Sequence, residues 1–322
     1  MGLEEIVVSL NTLGIAYRIV ATGAEGGVLV LPEYGRVLGL WPHWRGENAL
    51  WVNPEFLQKL RIGAKDDGWM NPGGDRIWIA PEEEFFPDGQ EVPPVIDPGH
   101  FLPAAEKSGF CMESRGEARA WKTGARVRFR ISRRVRPLDD ARLADAWGKT
   151  WLRQAGYEEE TTLDLEGGCP CPVWLWNITQ VRAGAEVRIP LRRYWGDTAL
   201  SQLPPGSVGL VDNCAVVRFQ GTRSIRVAVD AADAGSRIIC LEEREPGRAQ
   251  LLVKDFAREG RGDPRAAHVE CRWECQGDFG EFSCSSPTIG PHGKKRIQWK
   301  TSLCAFSGRT EAIRAFAARI SP

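Results

Sequence analysis

The stretch Ala125–Val135, ARVRFRISRRV, constrains the fold more than any other part of the chain. Val127, Phe129 and Ile131 share one face, and Arg126, Arg128 and Arg130 share the other. A period of two marks a strand with one face buried and one in water, and such strands belong to antiparallel sheets. The arginines read as a solvated face and not as a phosphate or nucleic-acid site. The chain as a whole is neutral, with 42 Lys+Arg against 42 Asp+Glu, whereas bulk nucleic-acid or anionic-membrane binding needs a basic excess.

Short β-runs separated by Gly, Pro, Asp and Asn fill most of the remaining sequence. Gly27–Leu40 reads as two strands around a Pro-Glu-Tyr-Gly turn. Further runs lie at Pro172–Ile178, Ala185–Leu191, Val208–Phe219, Ser224–Val229, Ser236–Glu242, Ala249–Phe256, Ala267–Trp273, Gly280–Cys284 and Arg296–Phe306. Many short strands with turn chemistry between them predict an all-β sandwich or barrel. Three segments break the pattern. Apolar residues at helical spacing predict a helix over about 3–13, ending at Gly14. A second is expected at Asp139–Ala155, capped by Asp139 or Asp140, with Leu143, Trp147 and Trp151 on one stripe and Gly156 as its stop. A third is expected over about 310–320, with Ile313, Phe316 and Ile320 inward. No linker, low-complexity tract or internal repeat divides the chain, so residues 1–322 read as one all-β domain with a few helices.

No apolar run reaches the ~18 residues of a membrane span, and the N-terminus lacks the basic and small-residue pattern of a signal peptide. A cytoplasmic protein is therefore expected, without nucleic-acid or membrane partners. Its oligomeric state is left open. Nine cysteines without CxxC spacing, and no histidine at zinc-finger distance, predict structural thiols, with neither a disulfide framework nor a metal site. Gly148-Lys149-Thr150 resembles the tail of a phosphate loop, but Leu143 stands where its first glycine belongs and the triplet falls inside the expected helix. Asn177-Ile-Thr179 is a glycosylation sequon by spelling only. No cofactor is implied.

Candidate site residues cluster around Gly73–Glu82, GGDRIWIAPE, a glycine turn followed by Asp75, Arg76 and the apolar run Ile77-Trp78-Ile79. Polar groups at a strand end beside an indole face suit a polyhydroxylated ligand. The thirteen tryptophans fit either a core filled with indoles or a cleft with stacking platforms. Among four histidines, His100 lies beside Asp97 in a turn, His43 between Trp41 and Trp44, His268 at the start of a strand, and His292 in a Gly-Pro-His-Gly turn. On a strand, Glu281 and Ser283 share a face opposite Phe282 and Cys284. Glu281 reads either as a cleft carboxylate or as a rim carboxylate paired to an arginine.

These strings resemble the galactose mutarotase-like superfamily, the aldose 1-epimerase type of β-supersandwich, in its uncharacterised bacterial branch. The resemblance rests on Tyr34–Leu40, on Gly73–Glu82 as a GGD/E-R-x-W-x-x-P-E motif, on Pro94–Asp97, Ile131–Arg133, Gly156-Tyr157, Trp174–Val181 and Arg188–Leu191, and on Glu281–Pro287 followed by Gly293 and Trp299. It spans roughly residues 27–308 and implies sugar binding in a concave cleft. It also implies ring opening by a glutamate base and a histidine acid, groups that must flank the ring with pKa values near the working pH. Laid over Gly280–Pro287, the expected glutamate falls on Ser283, and serine cannot replace a carboxylate base. The implied protein is a carbohydrate binder, with an active epimerase, mutarotase or lyase as one alternative isomerase-type reading and a structural protein with a lost site as another. Glu281, His100 and His268 are the candidate catalytic residues. Arg36, Asp75, Arg76, Trp78, Glu82, Trp176 and Lys254 are the candidate sugar-binding residues.

Overall fold

The alternating strands pair into two sheets, both antiparallel. The computed structural model describes the chain except residues 63–69, 88–91, 105–108, 149, 193–206, 222, 231–232, 258–267, 275–276, 291–292 and 322. Lys149, Cys275 and His292 therefore lie outside the described residues.

The smaller sheet runs in the order β1 (Arg18–Thr22), β2 (Gly26–Leu31), β3 (Arg36–Trp41), β4 (Asp75–Ala80), β9 (Trp174–Arg182), β17 (Phe279–Ser285), β16 (His268–Trp273), β13 (Ile225–Asp230). The larger sheet runs in the order β11 (Val208–Val211), β12 (Cys214–Arg218), β10 (Glu186–Pro190), β14 (Arg237–Glu245), β15 (Arg248–Phe256), β18 (Arg296–Arg309), β8 (Arg153–Leu165), β7 (Arg126–Pro137), β6 (Phe110–Arg119), β5 (Leu102–Ala104). The inner faces carry the main core, with Val37, Ile77, Ile79, Phe282 and Cys284 from the smaller sheet and Phe129, Ile131, Leu163, Leu252 and Leu303 from the larger. The two sheets share this core face to face, as in an all-β sandwich.

On β7 the alternation holds as read: Val127, Phe129, Ile131 and Val135 are buried, while Arg126 and Arg128 are exposed. The expected run Val208–Phe219 is a hairpin instead of one strand. Val211 pairs with Cys214, and Asp212 and Asn213 both take positive φ, the geometry of a tight two-residue turn.

The expected helix at Asp139–Ala155 is corrected. The helix is α4, Asp140–Trp147, and Gly148 caps it with φ +75°. From Arg153 the chain enters β8, whose Ala155, Tyr157, Glu159, Thr161, Leu163 and Leu165 are buried at every second position. Pairing with β18 on one side and β7 on the other outweighs the local helical spacing. Trp151, placed on the helical stripe by its spacing, is 95% exposed.

Four further α-helices are present among the described residues: α1 (Leu3–Thr12), α2 (Pro54–Ile62), α3 (Glu82–Phe85) and α5 (Thr310–Ile320). The spacing of apolar residues anticipates α1 and α5, but not α2 or α3. Ile6 and Leu10 of α1 and Phe56 and Leu57 of α2 cover Leu29, Leu31, Leu38 and Trp41 on the outer side of β2 and β3. Leu143 and Trp147 of α4, with Ile313 and Phe316 of α5, cover Ile239, Leu251, Val253 and Phe306 on the outer side of the larger sheet. At the middle of the smaller sheet, where β4, β9, β17 and β16 lie side by side, α3 packs on β4 and its Glu82 reaches Arg272 of β16. No helix among the described residues is long and apolar enough to cross a membrane.

Candidate functional site

Strand β4 begins behind two glycines with positive φ, Gly73 at +97° and Gly74 at +82°. A Cβ on Gly73 would meet the Val52 backbone at 2.8 Å, so only glycine lets the chain turn this closely past Trp51 and Val52. The turn sets the register of β4, and alternation then sends Asp75 and Arg76 to opposite faces. They are not an ion pair.

On the outer face, register brings residues from five strands together. Arg76 lies opposite Ile178, and Trp78 opposite Trp176. Glu281 lies opposite Gln180 on one side and Arg272 on the other, and Arg272 lies opposite Arg226. Arg76 donates to Asn71 Oδ1 (3.1 Å) and to Glu281 Oε1 (2.8 Å). Gln180 Nε2 donates to the same Oε1 (2.7 Å). Glu281 Oε2 receives no hydrogen bond among the described residues, and the side chain is 16% exposed. The carboxylate is therefore paired to an arginine through Oε1.

Arg272 binds Glu82 through both terminal nitrogens, with Nη1 at 3.2 Å from Oε1, and binds Glu270 through Nε. Arg226 joins the same two carboxylates, at 3.1 Å from Glu270 and 3.5 Å from Glu82. Burial works against the Arg272 charge, but the hydrogen bonds to Glu82 and Glu270 outweigh it and hold its pKa above the ordinary value. Beneath Arg76 lies a support layer. Asp97 accepts two hydrogen bonds from Arg36 Nη2 (2.8 and 2.6 Å) and one from Trp78 Nε1 (3.0 Å). Arg36 is fully buried, and burial lowers its pKa to about 10 against the opposing pull of Asp97, so it stays charged at neutral pH.

The two indoles expected as platforms are buried, and guanidinium groups lie over them. Arg76 lies 4.2 Å from the Trp78 ring centre and Arg272 4.7 Å from that of Trp176. These cation–π contacts occupy ring faces that a pyranose would need.

Asp75 and Lys254 are placed elsewhere, in a charged network sealed between the sheets. Lys254 Nζ donates to Asp75 Oδ2 (2.6 Å) and to Thr179 Oγ1 (2.6 Å). Arg133 donates to Asp75 Oδ1 (3.0 Å) and to Glu159 Oε1 (3.0 Å), and Asn177 (3.0 Å) and Thr179 Oγ1 (2.7 Å) also donate to Asp75. Asp75, Arg133 and Lys254 are at most 1% exposed. They tie β4 to β7, β8 and β15 and do not reach the outer face. Arg133 and Glu159 were not singled out as site residues, yet a signal existed. Arg133 occupies the same parity as Val127, Phe129 and Ile131, so the alternation itself puts a cation on the apolar face.

His100 does not join Glu281 in an acid–base pair among the described residues. His100 is exposed, at φ 45°, and makes no hydrogen bond or ion pair among the described residues. The backbone of His268 pairs with Asp230, and its side chain lies outside the described residues. Ser283 does share the face of Glu281, buried opposite Ile178 and Glu270. Ser286 follows β17 in Cys284-Ser-Ser-Pro287. Ser286 is buried, accepts from Leu175 N–H (2.9 Å) and stitches β17 to β9. Neither position carries a carboxylate. Among the described residues no group of three or more His, Cys, Asp or Glu is arranged to hold a metal ion. What the arrangement offers chemically is an open carboxylate oxygen set among guanidinium and amide donors.

No protein-family model matches the chain, and no curated protein matches it. Solved structures do. The Slr1438 protein from Synechocystis sp. PCC 6803 is 11% identical, with 91% of this chain and 96% of that chain covered at a TM-score of 0.54. A galactose mutarotase-like protein from Lactobacillus casei ATCC 334 is 8% identical, with 91% and 100% covered at a TM-score of 0.44. Galactose 1-epimerase from Lactobacillus acidophilus NCFM is 10% identical, with 91% and 94% covered at a TM-score of 0.43. At such identities the likeness is one of fold, and the chain has the two-sheet antiparallel fold of the Synechocystis protein.

Proposed function

We propose that the protein binds a mono- or oligosaccharide on the outer face of the smaller sheet, over Arg76, Gln180, Glu281 and Arg272. The observation that carries this reading is the state of Glu281. Its Oε1 is held by Arg76 and Gln180, and its Oε2 has no donor among the described residues. A carboxylate oxygen so fixed accepts from a sugar hydroxyl without reorganising. Arg76 and Arg272 are the neighbouring donors, and Glu82 is a second acceptor. Hydrogen bonds, not indole stacking, orient the ligand, because guanidinium groups already lie over Trp78 and Trp176.

Binding without turnover is favoured over an epimerase. Mutarotation needs an acid and a base across the ring, and His100 is exposed and makes no contact with Glu281 among the described residues. Ligand-detected NMR against a panel of aldoses and oligosaccharides tests the proposal. Hydrogen bonds to a charged group contribute about 1.5–3 kcal/mol, so Glu281→Gln should weaken binding roughly 10- to 100-fold. A panel without a binder, or a binder indifferent to Glu281→Gln, overturns it. Exchange between anomers catalysed by the wild type and abolished in Glu281→Gln would establish the epimerase instead.

A further inference from the structure

Cys169 and Cys171 stand apart from the other described cysteines. They lie in the loop that leads from β8 into β9, where Gly167, Gly168 and Pro170 are exposed and the two thiols are 8% and 5% exposed. Their sulfurs are 3.9 Å apart, and Cys169 Sγ also donates to the Cys171 carbonyl at 3.0 Å. The loop is pinned from the side. Val173 and Ile289 exchange two backbone hydrogen bonds of 2.8 Å, and Gly290 follows with φ +96°. A Cβ on Gly290 would meet the Cys171 carbonyl at 2.6 Å, so the neighbouring chain packs directly on the thiol turn. The pair is thus held together by the fold, at a surface loop.

We infer that Cys169 and Cys171 form an oxidisable dithiol, converted by a peroxide to an intraloop disulfide. The Cys169 thiolate attacks one peroxide oxygen, the O–O bond breaks, and hydroxide leaves, giving a sulfenic acid on Cys169. The Cys171 sulfur then attacks that sulfur and displaces its hydroxyl, which leaves as water with the Cys171 proton. The two thiols lose two electrons, and the peroxide is reduced to two waters.

Electrostatics fits this order of attack. The hydrogen bond from Cys171 holds the Cys169 thiol near 7, against its burial and nearby Glu84, while sharing that proton pushes Cys171 up. Lys122 is the nearby cation that opposes the rise at Cys171. Burial raises the thiols of Cys214, Cys240, Cys271, Cys284 and Cys304, which makes them poor nucleophiles.

The test treats the full-length protein with hydrogen peroxide, blocks remaining thiols with N-ethylmaleimide in denaturant, and maps the peptides. The expected product is an unlabelled Cys169–Cys171 peptide lighter by two hydrogens and restored to labelling by dithiothreitol. In Cys171→Ser, dimedone should instead trap a sulfenic acid on Cys169. Full labelling of Cys169 and Cys171 after treatment overturns the inference, as does first oxidation at any other cysteine, Cys275 included.

Discussion

Replacing Lys254 by methionine should be among the most damaging single changes in this molecule, and its damage should depend on pH. The ammonium sits 2.6 Å from Asp75 Oδ2 at 1% exposure, in a cluster that also contains Arg133 and Glu159. Two cations and two anions balance there. Methionine fills the space of the lysine stem but leaves the cluster one negative charge in excess, away from water. Breaking a buried pair in this way costs about 3–5 kcal/mol. The lower end is expected, because Arg133, Asn177 and Thr179 still bind Asp75.

Burial alone would raise the Asp75 pKa, yet Lys254 first and Arg133 next outweigh it, so the folded value lies below the ordinary one. A depressed carboxylate contributes stability that is present above its unfolded pKa, about 3.9, and is lost as pH falls through the folded value. Without Lys254, burial dominates and the sign reverses: the folded Asp75 now prefers its proton, so the variant loses stability as pH rises from about 4 through the raised folded value. The gap between wild type and variant should therefore be widest near neutral pH, narrow as pH falls toward about 4, and close only below the depressed folded value of the wild-type Asp75. Urea unfolding followed by the fluorescence of the thirteen tryptophans measures it at several pH values. Adding Asp75→Asn to Lys254→Met should recover at least about 1 kcal/mol at neutral pH, since the double variant has no unpaired anion at that position. A gap under about 1 kcal/mol at pH 7, or one of equal size in acid and at neutrality, refutes the reasoning.

Two further changes test local packing and helix capping in the fold. Gly280→Ala puts a methyl group into the ring of Phe219, which stacks on Trp273 at 6.2 Å, and overpacking of this kind costs about 1–3 kcal/mol by urea unfolding. Asp139→Ala removes the side-chain acceptor of Arg142 N–H (2.9 Å) at the start of α4 and should cost about 0.5–2 kcal/mol, with the loss recovered by Asn at that position.

The sheet class, the strand over Ala125–Val135 and the two strands around Pro32–Tyr34 were legible in the sequence because each is a local pattern, alternation or turn chemistry within a dozen residues. Burial of Val127, Phe129 and Ile131 follows from period two whatever lies above them. The helix expected over Asp139–Ala155 shows where that logic stops. Its first half is helical and its last three residues, Arg153–Ala155, open a strand inside the larger sheet, because β8 is decided by partners on β18 and β7 that no local window contains.

The candidate site divides in the same way. Alternation alone sends Asp75 and Arg76 to opposite faces, but only the tertiary structure decides which face the second sheet covers. That choice seals Asp75 with Lys254 and Arg133 and leaves Arg76 beside Glu281, a residue 205 positions away in the chain. It also laid Arg272 over Trp176, so an indole whose sequence context suited a sugar platform is engaged by a neighbour from another strand. Local sequence determines what each strand can present on each side. The register of β4, β9, β17 and β16 determines which of those side chains meet, because pairing energy across a sheet is gained between residues far apart in sequence.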